Sequence, residues 1–263
     1  MSDFFENKLF WEQNSINLFN TSYSINNIIH SISSTEKLFL EDINGKNVLH
    51  IFCNFGMNTF YLESLGTKVT GLDYNKHSIE FAEKYKEKIN SEVEFICDDF
   101  FNYSSLKKYD VIYASFGVID WVSDLDLFID KIYNLLNDNG KFIFIEFHSD
   151  FFKQQFLDMG GVKYKDNQYK IKTSYTLRKS ESKKSLLGNG ATSIEDVYMK
   201  PYLHDTDIFV SKVKQKFNLK KLDFFKFINF KMGNDVNVGA NRWRNKYLKK
   251  SEYVSYGLIG EKK

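Results

Sequence analysis

Residues 48–56 read Val48-Leu49-His50-Ile51-Phe52-Cys53-Asn54-Phe55-Gly56, a short apolar run that passes into a loop ending in glycine. A continuous apolar run of this length, bounded by loop residues, predicts a buried strand. Residues 58–65 then predict a helix, which ends at Gly66. Asn54 tolerates a positive φ better than most residues, which suits a tight connection. The stretch therefore predicts a strand, a tight loop and a helix.

The same succession of elements continues towards the C-terminus. Further strands are predicted over 68–73, 93–97, 109–113, 141–147, 219–227 and 253–260, and helices over 76–89, 124–137 and 206–217. Strands that alternate with helices indicate a parallel sheet with right-handed crossovers. Ligands of such a sheet bind at the carboxyl ends of the strands, beside the switch in strand order. Functional side chains are therefore expected in the loops that follow the strands.

The composition indicates a globular protein and argues against several classes of partner. Of the 263 residues, 43% are hydrophobic and 27% are charged, so the chain can bury a full core. Its net charge of +2 is small for a protein that grips a nucleic-acid backbone. Cys53 and Cys97 have neither zinc-ligand spacing nor a disulfide framework, and no leader or membrane span is evident. We expect a cytoplasmic protein without metal, membrane or nucleic acid; the oligomeric state is left open.

The first strand and its loop resemble a motif of a known enzyme family. Residues 49–56 are similar to L-H-L-Q-C-H-F-G, which is motif I in one bacterial branch of the class I S-adenosylmethionine (SAM) dependent methyltransferases. In the usual motif an acid precedes three glycines. Here His50 stands at the acid, Phe52 and Asn54 stand at the first two glycines, and Gly56 is retained. The resemblance implies a cofactor loop that contains Phe52, Cys53, Asn54 and Gly56, with the Gly56 backbone close to the ligand.

Two further strand ends carry acids that match motifs of this family. Residues 69–74 resemble motif II, which implies that Asp73 accepts hydrogen bonds from the ribose diol, beside Tyr74. The alternative role of Asp73 is a cap of the following helix. Residues 95–100 resemble motif III, in which an acid accepts from the adenine amino group and the next backbone N–H meets the ring. Asp99 is favoured for this role and Asp98 is the alternative, with Phe100 next to them.

The resemblance extends well over residues 47–150 and weakly beyond them. Residues 109–121 are similar to Y-D-V-V-Y-T-S-x-G-V-L-x-W, which implies Ser115 at the cofactor site. The family implies an α/β fold: a Rossmann-like, seven-stranded, mostly parallel sheet with an antiparallel last strand and helices on both faces.

The family also implies how the chain is divided. Residues 1–46, in which Ser33 and Glu36 form a capping box, would be an N-terminal helical cap over the active site. Residues 47–263 would be the SAM-binding domain. Its substrate-side insertions are expected at about 151–200, where alternation between 169 and 177 predicts a strand or hairpin, and at about 228–250.

The catalytic candidates lie after the fifth strand, where Glu146-Phe147-His148 resembles the E-x-H-P of the same branch. His148 is a candidate general base for a hydroxyl acceptor, because imidazole titrates near neutrality. Glu146 is a candidate to orient the substrate or the base. Both can equally be structural or surface residues. His204 is more typical of a helix cap, and Trp11 and Tyr23 either wall the cofactor or belong to the core.

The sequence therefore predicts a SAM-dependent methyltransferase that acts on an oxygen or nitrogen of a small molecule. Basic and aromatic residues in 163–184 and 242–244 suggest an anionic or sugar-derived acceptor, although such runs are usually solvated faces. One alternative is an RNA or protein methyltransferase; the near-neutral net charge argues against an RNA substrate. The other is a non-catalytic SAM-binding module, which the missing acid and glycines of motif I favour slightly.

Overall fold

A computed structural model describes residues 7–8, 11–12, 32–158, 160–165, 168–173, 197–229, 235–240, 242–249 and 252–263. Residues 7–8 and 11–12 are helical. The predicted capping box is confirmed: Ser33 Oγ accepts from the backbone N–H of Glu36, and the Glu36 carboxylate accepts from the backbone N–H of Ser33.

The described helices and strands include those that the sequence predicts, in the predicted order, together with further elements. The helices are α1 (Ser34–Lys37), α2 (Met57–Ser64), α3 (Lys76–Ile89), α4 (Leu125–Leu135), α5 (Ser149–Asp158) and α6 (Thr206–Lys216). The strands are β1 (Asn47–Ile51), β2 (Lys68–Asp73), β3 (Glu94–Cys97), β4 (Tyr109–Ser115), β5 (Leu136–Phe147), β6 (Val162–Lys165), β7 (Gln168–Thr173), β8 (Val197–Met199), β9 (Phe217–Phe225), β10 (Asp235–Asn237), β11 (Trp243–Asn245) and β12 (Ser255–Lys262).

Seven strands form the central sheet in the order β3-β2-β1-β4-β5-β12-β9. Strands β1 to β5 pair in parallel, and β12 runs antiparallel to both β5 and β9. The chain passes from β1 to β2 and β3 on one side and resumes at β4 on the other. The order therefore switches between β1 and β4, and the predicted fold class is confirmed.

Polar side chains fix where three of the helices begin. Asn75, Asp124 and Asp205 each precede a helix and accept hydrogen bonds from backbone N–H groups of its first turn. These N–H groups have no partner within the helix, so each cap contributes about 1 kcal/mol. The caps of α3 and α4 fix the helices that follow β2 and precede β5.

Successive residues of β1 enter two different cores, because side chains of a strand alternate between the faces of its sheet. Val48 belongs to a cluster with Phe60 of α2 and Tyr85 of α3, and Leu49 belongs to a cluster with Phe128 of α4. Both faces of the sheet are thus covered by helices. This double burial explains why the strand reads as a continuous apolar run.

The structure adds elements that the sequence did not predict. Helix α5 lies at 149–158, and β5 begins at Leu136 and shifts its register against β4 before Lys141. The strand predicted near 169 is β7, which pairs antiparallel with β6 and β8. In the described part of the chain, no helix has both the length and the apolar character that crossing a membrane requires.

Candidate functional site

A cavity of about 370 Å³ lies at the carboxyl ends of the central strands, beside the switch between β1 and β4. Residues that follow four of the strands form its floor, and they lie within 52–55, 73–75, 99–101 and 115–118. Its other described walls include Asn7, Lys8, Trp11, Glu36, Trp121, Ser123 and Tyr202. The cavity is where the strand order predicts a ligand site.

Most of the predicted cofactor residues line this cavity. They are Phe52, Cys53, Asn54, Asp73, Tyr74, Asp99, Phe100 and Ser115. Gly56 and Asp98 are not part of the lining, and Tyr23 lies outside the described residues. Of the two acids considered for adenine, the structure therefore brings Asp99 to the cavity.

The loop after β1 takes a left-handed path at alternate residues. The φ angles are 54° at Phe52, 50° at Asn54 and 75° at Gly56. A Cβ added to Gly56 would lie 2.5 Å from Cζ of Phe95. The structure thus gives a reason for the glycine besides the predicted approach to a ligand: it leaves room for the Phe95 ring under the loop.

Asp73 is held rigidly at the end of β2. One carboxylate oxygen accepts from the backbone N–H of Asn54 at 2.8 Å, and the other accepts from the backbone N–H of Asn75 at 2.9 Å. Burial raises the pKa of Asp73 to about 6, although these hydrogen bonds act in the opposite direction. The carboxylate therefore ties the loop after β1 to the end of β2, and it faces the cavity.

The two acids after β3 accept hydrogen bonds from different backbone N–H groups. Asp98 Oδ1 accepts from the backbone N–H of Asp99 at 2.8 Å, and Asp99 Oδ1 accepts from that of Phe101 at 2.8 Å. The Phe100 ring is buried against Phe52, with the ring centroids 5.7 Å apart. The aromatic pair thus joins the loop after β3 to the loop after β1.

His50, at the position of the usual motif I acid, carries no charge. Its Nδ1 lies 2.8 Å from Oγ1 of Thr59, and its ring lies 5.1 Å from the Tyr113 ring. Burial lowers the pKa of His50 to about 3, so the imidazole is neutral at physiological pH. This residue lines the cavity but gives it no negative charge.

A carboxylate that the sequence did not assign to the site, that of Glu36, also lines the cavity. It accepts from the Tyr113 hydroxyl at 2.7 Å and from the Asn58 amide at 3.1 Å. The same amide donates to Ser115 Oγ at 3.2 Å, so α1, α2 and β4 meet at one polar cluster. The capping box drew attention to Glu36, but nothing in the sequence indicated that this side chain reaches the strand ends.

The structure does not bring Glu146 to the cavity. Its fully buried carboxylate accepts from backbone N–H groups of Gly117, Val118 and Ile119 in the loop after β4, and from that of Phe147. Burial raises its pKa, and the N–H donors oppose that effect. Gly117 and Val118 line the cavity, so Glu146 fixes the wall from behind.

His148 also lies outside the cavity lining. Its backbone N–H donates to the Val254 carbonyl at 2.9 Å, and its ring packs near Phe224 and Tyr253. His204 is likewise absent from the lining: its Nε2 lies 2.6 Å from the Val122 carbonyl oxygen. Neither histidine is placed to accept a proton inside the cavity.

Aromatic side chains enclose the end of the cavity that extends beyond β4. The Trp11 and Trp121 rings meet edge to face with centroids 5.3 Å apart, and Phe116 and Tyr202 belong to the same lining. The Lys8 ammonium lies 5.8 Å from the Tyr74 ring centroid. No described residue of the basic segments 163–184 and 242–244 lines the cavity.

The N-terminal helical residues pack onto the segment that follows β8. The Asn7 amide donates to the Lys200 carbonyl at 2.9 Å, and the backbone N–H of Lys200 donates to Asn7 Oδ1 at 2.8 Å. Both residues are buried. The two segments therefore close the cavity together.

A family model described as a methyltransferase domain matches residues 42–189, which is more than half of the chain. The ubiquinone biosynthesis O-methyltransferase of Pelagibacter ubique is 31% identical over 97 residues, which cover 36% of this chain and 40% of that protein. The chain thus matches less than half of the length of this curated relative.

Solved structures share the fold at low identity. A putative SAM-dependent methyltransferase from Listeria monocytogenes has a TM-score of 0.59 at 18% identity, covering 91% of this chain and 100% of that chain. Magnesium protoporphyrin IX methyltransferase from Synechocystis, solved with bound S-adenosylhomocysteine (SAH), has a TM-score of 0.60 at 12% identity, with complete coverage of both chains. The similarity therefore extends over the whole fold.

Proposed function

Because the chain belongs to the class I SAM-dependent methyltransferases, we propose that it transfers the methyl group of SAM to an oxygen or nitrogen of a small molecule. The observation that carries the proposal is the cavity at the switch point, which Asp73, Asp99 and the loop after β1 line together. Carboxylates at these positions support the proposal, because they can accept hydrogen bonds from an adenosyl ligand.

The residues present fit SAM. The Asp73 carboxylate, which is held by backbone N–H groups of Asn54 and Asn75, would accept hydrogen bonds from the ribose hydroxyls. Asp99 and Phe100 would hold the adenine, and the loop of Phe52, Cys53 and Asn54 would support the methionyl part. The bound cofactor supplies an electrophilic methyl group on a sulfonium.

The protein contributes mainly alignment and the exclusion of water to such a displacement. The aromatic rings of Trp11, Trp121 and Tyr202 would enclose the acceptor, which would be an anionic or sugar-derived metabolite. The contact of Asn7 with Lys200 supports a cap formed by residues 1–46 over the domain 47–263.

Neither Glu146 nor His148 lines the cavity, and this bears on the acceptor. We propose that the acceptor atom reaches the methyl group as a neutral amine or an already ionised oxygen, so that no protein base is needed. The second candidate function is a SAM-binding module without turnover. It is favoured by the neutral His50, which stands where the usual motif I has an acid.

Methyl transfer from labelled SAM to metabolite fractions tests the proposal. We expect calorimetric binding of SAH and the appearance of one labelled product of low molecular mass, which mass spectrometry would identify. Labelled RNA or protein would redirect the acceptor assignment to those classes. Absence of SAH binding at millimolar concentration would contradict the proposed function.

A further inference from the structure

Glu36 places a buried negative charge on the cavity wall. Its side chain is part of the lining, and only 2% of the residue is exposed. The carboxylate is fixed by the capping box, because one oxygen accepts from the backbone N–H of Ser33 at 2.7 Å. A charged group with so little exposure is costly unless its surroundings stabilise it.

The partners of Glu36 among the described residues are all neutral donors. They are the Ser33 backbone N–H, the Tyr113 hydroxyl and the Asn58 amide. Among the described residues, no lysine, arginine or histidine forms an ion pair with this carboxylate. With respect to the described residues, one Glu36 oxygen accepts a single hydrogen bond, so the carboxylate can still accept one from a cationic group of a ligand.

The position of Glu36 along the cavity indicates which part of a ligand it meets. Asp73 is hydrogen-bonded to Asn54, in the middle of the loop after β1, and Asn58, in the first turn of α2 just beyond that loop, is hydrogen-bonded to Glu36. The carboxylates of Asp73 and Glu36 therefore contact the chain at points four residues apart. His50, whose ring lies near that of Tyr113, the hydrogen-bond partner of Glu36, is neutral and adds no charge here.

We infer that Glu36 receives the α-ammonium group of the methionyl moiety of SAM. The inference rests on the proposed function, and it assigns a binding role to a residue outside the strand-end motifs. Glu36 holds one end of the cofactor while Asp73 holds the ribose, so the two together fix the direction of the chain that carries the sulfonium. An amine on the acceptor is the other possible source of an ammonium group, and the experiment separates the two.

Substitution Glu36→Gln keeps the size and one acceptor oxygen but removes the charge. Calorimetry would compare SAH with 5′-methylthioadenosine, which keeps the adenosine and the sulfur but lacks the amino-acid part. We expect SAH binding to weaken by about 10- to 100-fold, the scale of one hydrogen bond to a charged group. Methylthioadenosine binding should change by less than about twofold, since it has no ammonium to lose.

Glu41→Gln is the matched control, because Glu41 is exposed and lies outside the lining. It should leave both affinities unchanged. If Glu36→Gln does not fold, Glu36→Asp can replace it, because it moves the carboxylate back by one methylene. This variant should still weaken the binding of SAH more than that of methylthioadenosine.

Three outcomes are separable. Equal loss of affinity for SAH and methylthioadenosine would show that Glu36 only supports the loop. Unchanged SAH affinity with weaker binding of an amine acceptor would show that Glu36 receives the acceptor's ammonium group. Either result overturns the inference. Failure of the wild-type protein to bind either ligand would instead contradict the proposed function.

Discussion

Asp73 should make binding of the adenosyl ligand depend on pH. Its pKa is raised to about 6, so it is mostly ionised at pH 7 and mostly protonated at pH 5. Only the carboxylate can accept from both ribose hydroxyls while it also accepts from Asn54 and Asn75. The ionised fraction falls about tenfold between these pH values, so the Kd for SAH should rise about tenfold, or about 1.4 kcal/mol.

Calorimetric titration of SAH at pH 7, 6 and 5 and constant ionic strength would measure this effect. Asp73→Asn should weaken binding at pH 7 by about 1–3 kcal/mol, because the ribose loses a charged acceptor. The same variant should abolish the dependence on pH. Asp98→Asn is a matched control at a neighbouring strand end outside the lining, and it should behave as the wild type.

The stability of the ligand-free protein should change in the opposite direction. A carboxyl group whose pKa rises on folding, here from 3.8 to about 6, destabilises the fold as pH rises through that interval. Relative to Asp73→Asn, the ligand-free wild type should therefore gain about 1 kcal/mol on going from pH 7 to pH 5. Unfolding by acid in general would instead lower both the affinity for SAH and the stability of the ligand-free protein. A wild-type Kd that stays within about twofold from pH 7 to pH 5 would refute the reasoning.

Three further substitutions test other parts of the structure. Gly56→Val should destabilise the fold by about 2–4 kcal/mol in denaturant unfolding, because its Cβ would meet the Phe95 ring at positive φ. Gly160→Ala, at a positive φ in open space, should cost less, and equal losses would remove the clash from the explanation. Asp120→Asn should stabilise the protein by about 1–3 kcal/mol near neutral pH. One oxygen of Asp120 has no hydrogen-bond partner among the described residues, and burial with a nearby carboxylate raises its pKa. Because the unfolded chain ionises first as pH rises, the gain should be larger at pH 8 than at pH 5, and the reverse order would contradict this assignment. His148→Ala should keep turnover within about threefold, and a loss of about a hundredfold would instead restore it as a general base.

The sheet could be predicted from the sequence because its strands are buried on both faces. Such strands appear as apolar runs wherever they occur, and the predicted bounds of β2 and α3, 68–73 and 76–89, agree with the structure. Helix α5 could not be predicted in the same way. It buries Phe151 and Phe156 against neighbouring segments, and its other positions are largely polar. Its stability comes from tertiary contacts that local periodicity does not report.

The residues on the floor of the site could be predicted from the sheet topology, whereas those of its walls could not. In a parallel sheet the ends of β1, β2 and β3 meet at one edge, so acids such as Asp73 and Asp99 could be assigned from their position after a strand. The direction of a side chain beyond the strand end depends on the loop that carries it. His148 pairs its backbone with Val254, and its ring is directed to Phe224, which no spacing rule predicts.

The loop after β1 keeps a left-handed backbone path although two glycines of the usual motif are replaced by other residues. Phe52 and Asn54 adopt the left-handed region, which costs a residue with a Cβ about 1 kcal/mol or more. Contacts that glycine cannot make offset this cost. The Phe52 ring packs against Phe100, and the Asn54 side chain accepts from Ser78 Oγ at 3.1 Å.

Side chains at these two positions therefore stabilise the backbone path that glycines would otherwise permit. The loop is tied to β2 by Asp73, to β3 by Phe100 and to α3 by Ser78. A loop fixed at three points loses less conformational entropy when a ligand binds than a free glycine loop does. For this reason the departures from the usual motif are compatible with a cofactor site, and the glycine that remains is the one whose Cβ would collide with Phe95.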